Sequence, residues 1–185
     1  WIAADLLSQA EHDPRAQAVL ITDDAGLADS VEREVERQLQ SLVRAETAAA
    51  SWRGEGAVIV VGRLDEAVAV VDRLAPEHLE LLLADPGPIA RRVRHAGAIF
   101  IGAHTPEVIG DYVGGPNHVL PTGRSARFAS GLSVFDFLKR TTILGCDAAS
   151  FAALAPAAAV LARAEGLEAH ALAVERRLAS LEPAV

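Results

Sequence analysis

Methionine is absent from all 185 residues, and the chain opens at Trp1 inside an amphipathic stretch. A chain that starts this way is expected to be the C-terminal piece of a longer one. Cysteine is almost absent too. Cys146 stands alone, which excludes an internal disulfide and suits a reducing compartment. No apolar run approaches the ~20 residues that cross a bilayer, and no stretch reads as a secretory leader. Basic charge is in short supply: 17 Lys and Arg stand against 25 Asp and Glu, a net −8. That balance argues against nucleic acid or an anionic membrane as the main partner. A cytoplasmic protein is the default expectation.

Several catalytic signatures are also missing. There is no cysteine pair for a structural zinc, no His-Glu-x-x-His and no Gly-x-Ser-x-Gly. Gly54-x-Gly56 precedes its strand instead of following one, so it is not a dinucleotide fingerprint. What is present is apolar bulk, 51% of residues and rich in alanine and valine. That is enough for one substantial core, or one domain with an appendage.

Hydrophobic spacing predicts a helix over 1–11, ended by Asp13-Pro14, and a buried strand over 17–22. A long helix is expected over 27–51, with Val31, Val35, Leu39 and Leu42 on its dry face. Residues 57–61 read as the clearest strand, 64–74 as helix, 78–83 as strand, 89–95 as helix and 98–102 as strand. Strands alternating with helices, apolar on both faces, imply a parallel α/β sheet. Beyond it, helices are expected over 133–144, over 147–164 with Pro156 as a kink, and over about 168–181. The fold expected is therefore α/β: an incomplete, Rossmann-like parallel-sheet domain over 1–132, then a small all-helical subdomain over 133–185 that could serve as a dimerisation arm.

Between these parts lies Gly110-Asp111-Tyr112-Val113-Gly114-Gly115-Pro116-Asn117-His118-Val119-Leu120-Pro121-Thr122-Gly123. Its glycine and proline density predicts an irregular loop from Gly110 onward. It also carries Asp111, Asn117 and His118, so it reads as the floor of an active site. Asp111 fits a ligand-binding carboxylate at the mouth of a parallel sheet, or an Asx-turn. His118 fits a site residue, or a side chain that pins the loop.

Three other sets are chemically suggestive. Gln9 and His12 share a helix face three residues apart; they fit part of a metal site, or a solvated helix end with the imidazole at the negative dipole. Glu77-His78 falls where a helix meets a strand, and carboxylate with imidazole is a sensible acid–base pair. An exposed junction is the plainer reading. Glu165 and His170 flank Gly166, where a helix–helix joint could bring them together; an exposed charged turn would look the same. His95 and His104 are assigned to the surface.

Taken jointly, four stretches resemble histidinol dehydrogenase, in that order along the chain. They are Asp5-Leu6-Leu7-Ser8-Gln9-Ala10-Glu11-His12-Asp13-Pro14, Ala75-Pro76-Glu77-His78-Leu79-Glu80, the Gly110–Thr122 loop, and Glu165-Gly166-Leu167-Glu168-Ala169-His170. Arg127–Phe137 fits as well. The resemblance implies a zinc-dependent, NAD-linked homodimer that oxidises L-histidinol to L-histidinaldehyde and then L-histidine. By that resemblance Gln9, His12, Asp111 and His170 would hold one zinc per subunit, positioning the substrate's imidazole and amino groups. His78 would take the alcohol proton and Glu77 would activate water. His118 and Glu165 would contact substrate. The family's tail crosses to the partner, so Glu165, His118 and His170 would complete the other protomer's site. The nicotinamide contacts are expected in a portion that precedes Trp1.

Three other readings follow from the same residues. A non-catalytic metal- or imidazole-binding fragment differs only in what lies upstream. A zinc hydrolase, with Glu77 activating a metal-bound water, predicts turnover without nicotinamide. A purely structural α/β domain predicts that Gln9, His12, Asp111 and His170 lie apart.

Overall fold

The computed structural model describes residues 1–181. Two compact units divide the chain, Trp1–Phe137 and the residues from Leu138 onward. The first alternates parallel strands with helices, a partial Rossmann-like core, and the second is mostly helical. No helix among the described residues is long and apolar enough to cross a membrane.

The first unit opens with α1 (Ile2–Ala10), then β1 (Val19–Thr22), α2 (Ala25–Leu39), α3 (Ala45–Gly54) and β2 (Ala57–Val60). β1 and β2 pair in parallel, Val19 opposite Ala57. Leu7 and Ala10 of α1, Leu20 of β1, Val31, Val35 and Leu39 of α2 and Ala48 of α3 form one buried cluster. Asp24 caps α2 by accepting from the Leu27 N–H at 3.1 Å. The single helix expected over 27–51 is in fact two. Ser41 Oγ bonds back to the Gln38 carbonyl at the end of α2, and the break lets α3 turn its own face, with Ala48, onto the same core.

A second parallel pair follows. α4 (Ala67–Leu74) leads into β3 (His78–Leu81), then α5 (Gly87–Ala90), β4 (Ala98–Ile101) and α6 (Glu107–Tyr112). β3 pairs with β4, His78 opposite Ala98 and Glu80 opposite Phe100. α4 stops at Ala75, which is held left-handed at φ 49°; Pro76 then forbids further helix and starts the extended approach to β3. The helix expected over 89–95 ends at Ala90. The Asp72 carboxylate takes the N–H groups of Arg94 and His95 at 2.8 and 3.1 Å, which withdraws them from helical bonding.

The loop expected from Gly110 starts later, because α6 runs through Tyr112. Gly110 is a contact glycine here, not a breaker: a side chain there would collide with the Phe100 ring. The irregular segment beyond is pinned by Asn117, whose Oδ1 accepts from the Val119 N–H at 2.6 Å, and by the Leu132 N–H donating to the Val119 carbonyl at 2.9 Å.

Only Val134–Phe137 of the helix expected over 133–144 is helical, as one 3₁₀ turn. Asp136 Oδ2 accepts from the Ser133 N–H at 2.7 Å, and every residue over 133–144 is exposed, so no buried face drives a longer helix. The second unit contains α7 (Ala148–Ala164) and α8 (Glu168–Ala179). Asp147 caps α7 at Ser150 N–H, 2.7 Å. Gly166, at φ 74°, makes the joint. Small residues Ala155, Ala159 and Ala171 are buried between the two helices, and Arg163 pairs with both Glu168 and Glu175.

Gly97 offers a test of how tightly β4 enters beside Glu77. A Cβ there would lie 2.5 Å from the Glu77 carbonyl oxygen. Gly97→Ala is expected to cost about 1–3 kcal/mol by overpacking, read as a lower urea midpoint at unchanged m-value; an unchanged midpoint would contradict the packing described.

Candidate metal and acid–base centre

Three elements of the first unit bring functional side chains to one place. On α1, Gln9 lies one turn beyond Asp5, and His12 follows at the helix end. On β3, His78 and Glu80 are two apart and share a face. On α6, Glu107 and Asp111 are four apart and stack along one side. The result is a cleft of about 550 Å³ lined by Gln9, His12, Glu77, His78, Glu107, Asp111 and His118, with Asp13, Arg15 and Ala16 at one side. That volume lies within the ordinary range for small-molecule sites.

His78 is the centre of it. Its side chain is only 12% exposed and stands between two carboxylates: Nδ1 lies 3.6 Å from Glu107 Oε1, and Nε2 lies 3.5 Å from Asp111 Oδ2. Both separations exceed a good hydrogen bond, and neither ring nitrogen has a hydrogen-bond partner among the described residues. The ring also leans on Phe100, centroids 5.8 Å apart. A buried imidazole with both nitrogens unpaired is costly unless something else meets it.

Donor atoms of His78, Glu107 and Asp111 all lie within 4.8 Å of one another. Ligands at ~2.1 Å around a tetrahedral zinc are ~3.4 Å apart, so this spacing, with its unpaired nitrogens, fits a divalent cation. The two shortest separations use opposite ring nitrogens, however. They equally fit an imidazole oriented by one carboxylate on each side. Asp111 is common to both uses. The wider donor set, two imidazoles, carboxylates and an amide, is that of a nitrogen–oxygen metal site.

Electrostatics agree with an unbalanced cluster of acids. Burial pushes the Glu77 carboxyl above its ordinary value, and the Asp111 carboxylate adds to it. Glu107 is raised by burial and then by Asp111 and Glu77. Glu80, behind His78, is pushed up to about 7 by burial and by the Asp5 carboxylate, against the opposing N–H bond from Glu107. Asp5 is raised by burial as well.

Of the residues singled out in the sequence, Gln9, His12, Glu77, His78, Asp111 and His118 meet at this cleft. His118, expected to help complete a partner's site, places Nδ1 3.0 Å from the carbonyl oxygen of Asp111 in its own chain. Glu165 ends α7 and His170 lies in the first turn of α8; both are exposed in the second unit. His104 is exposed, whereas His95 is half-buried. Sequence reasoning passed over Glu107 and Glu80. The four-residue spacing from Glu107 to Asp111 was the available signal, hidden by treating Gly110 as the start of a loop.

The raised acids set a sign for pH dependence. Glu80's folded value of about 7 lies above its ordinary 4.5, so the folded chain keeps a proton that the unfolded chain releases. Its contribution to stability is complete below about 4.5 and is lost as pH rises through about 7. Melting of chelator-treated protein should therefore show Tm falling over that window, with a shallower fall in Glu80→Gln. A Tm that climbs across the same window would contradict the electrostatics described.

Comparison with known proteins now bears on this geometry. A family model described as histidinol dehydrogenase matches residues 1–178. Proteins named histidinol dehydrogenase are similar over nearly the whole chain: that of Rhodospirillum rubrum is 64% identical over 179 residues, 96% of this chain and 41% of its own length. That of Rhizobium meliloti is 66% identical over 178 residues, again 96% of this chain and 41% of its own. A crystal structure of histidinol dehydrogenase from Elizabethkingia anophelis superposes with a TM-score of 0.84 at 36% identity, covering 97% of this chain and 41% of that one. The chain thus spans about two fifths of the length of the relatives it matches.

Proposed function

The chain belongs to the histidinol dehydrogenase family, and from that premise we propose that it forms the metal- and substrate-binding part of an enzyme oxidising L-histidinol, through L-histidinaldehyde, to L-histidine. The observation that supports this most is the gathering of Gln9, His12, Glu77, His78 and Asp111, from segments up to a hundred residues apart, at one cleft.

In this reading Gln9, His12 and Asp111, with a partner chain's His170, would hold zinc, which would orient the substrate's imidazole and amino groups. NAD would supply the hydride acceptor, twice for the four-electron oxidation, with most of its contacts expected outside these 185 residues. The chain's own residues do the proton work. His78 takes the hydroxyl proton; its ring is already aimed by Glu107 on one side and Asp111 on the other. Glu77, raised by burial, is suited to accept a proton from the water that adds to the aldehyde. His118 and Glu165 contact the substrate.

A homodimer belongs to the same proposal, with His170 and Glu165 of one chain serving the site of the other. Its support is the exposed apolar stretch of Val134, Phe135, Phe137, Ile143 and Leu144, each more than two thirds exposed, a pattern that marks interaction surfaces. A zinc hydrolase has no observation in its favour beyond Glu77 near the donor set.

Metal analysis tests the core of this reading. Purified protein is expected to hold near-stoichiometric zinc, and Asp111→Ala to lose it; equal zinc in both would overturn the site. L-Histidinol should raise the Tm of the zinc-loaded protein and leave Asp111→Ala unchanged. The 185-residue chain with L-histidinol, NAD and zinc should form no NADH, and measurable turnover would contradict the placement of the nicotinamide contacts elsewhere.

A further inference from the structure

Beside the cleft lies a row of acids, Asp5, Glu80 and Glu107, of which Asp5 and Glu80 have no part in the proposed chemistry. Each of the three elements that carry a site residue also carries one member of this row. α1 carries Asp5, one turn before Gln9. β3 carries Glu80, two residues after His78 and on the same face. α6 carries Glu107, one turn before Asp111. Glu80 is the middle member. Its Oε1 accepts the Glu107 backbone N–H at 2.7 Å, tying β3 to the first turn of α6. Its carboxyl also stands beside the Asp5 carboxyl, where one shared proton would link β3 to α1.

We propose that Glu80 is a positioning residue, a two-armed tie that sets α1 and α6 at the distance from β3 at which Gln9, His12 and Asp111 can share one metal ion with His78 beside it. This rests on reading the cleft as a metal and substrate site. The physical reason for a tie is the short, thin architecture here. β3 is four residues long and α6 is six, so neither has the packed length to fix its own angle. α6 is held to the sheet mainly by the close approach of Gly110 to Phe100, which sets its separation from β4 but not its rotation. The Glu80–Glu107 bond fixes the first turn of α6, and rotation of that turn would swing Asp111, four residues on. The Glu80–Asp5 link would do the same for α1, where Gln9 lies four residues beyond Asp5. Outer partners that orient ligands in this way commonly carry ten- to a hundredfold of metal affinity.

The substitution that separates the tie from its charge is Glu80→Gln. A glutamine keeps an oxygen to accept from the Glu107 N–H and an NH₂ to donate to Asp5. Glu80→Leu keeps bulk and loses both arms. Asp5→Ala cuts only the α1 arm, at a helix position that is half-buried.

The experiment measures Zn²⁺ affinity by chelator competition, on protein whose fold is checked by circular dichroism and whose metal-free Tm is recorded. Glu80→Leu and Asp5→Ala are expected to weaken Zn²⁺ binding about tenfold or more, while Glu80→Gln stays within about twofold of the parent. A residue that served only the fold would lower the metal-free Tm and leave the affinity of the folded fraction unchanged. Should Glu80→Leu fail to fold, Asp5→Ala and Glu80→Gln still decide. Parent-like affinity in Asp5→Ala, or in folded Glu80→Leu, overturns the tie, and so does a Glu80→Gln as weak as Glu80→Leu. Asp111→Ala measured alongside separates the two claims. If it loses Zn²⁺ while the Glu80 and Asp5 variants keep it, only the tie fails; if Asp111→Ala binds like the parent, the reading of the cleft fails with it.

Discussion

Helix α6 passes so close to β4 at Gly110 that a side chain there would collide with the Phe100 ring. Glu107 and Asp111 of this helix stand to either side of His78, whose ring also leans on Phe100. Gly97 plays a parallel part at the head of β4, where close passage past the Glu77 carbonyl delivers β4 into register with β3.

The cleft that results is electrostatically incomplete. Glu77, Glu107 and Asp111 crowd one imidazole; burial raises the first two carboxyls, His78 opposes the rise and Asp111 adds to it. Coulomb repulsion among carboxylates a few ångströms apart is relieved by protonation, by the imidazole's own charge, or by a cation. The unpaired ring nitrogens of His78 point the same way, since a buried donor or acceptor without a partner costs free energy that folding alone does not recover. A site that is strained without its ion and relaxed with it is well suited to binding one tightly.

The parallel α/β character was legible because apolar runs such as Ala57–Val60 and Ala98–Ile101 admit little else. The helical character of the tail was legible from its alanine-rich spacing, confirmed in α7 and α8. The errors have a common cause. The stretch over 27–51 keeps helical periodicity straight through a turn made by Ser41 and its neighbours. Residues 91–95 keep it too, while a carboxylate from another segment takes the N–H groups of Arg94 and His95. Over 133–144 the pattern is apolar, yet every residue is exposed. Periodicity records which face could be dry; it does not record whether anything arrives to cover it.

Residue chemistry and local spacing belonged to the chain alone: an amide and an imidazole on one face of α1, a carboxylate beside an imidazole ahead of β3, and the family to which those motifs point. Convergence was decided only in three dimensions. Glu107 and Glu80 became part of the centre through contacts made across twenty-seven residues and more, and His118 turned toward its own chain's Asp111. The reason is that helix and strand periods fix which side chains share a face within a few residues, whereas the meeting of faces depends on packing. Here that packing turns on a glycine against a phenylalanine ring.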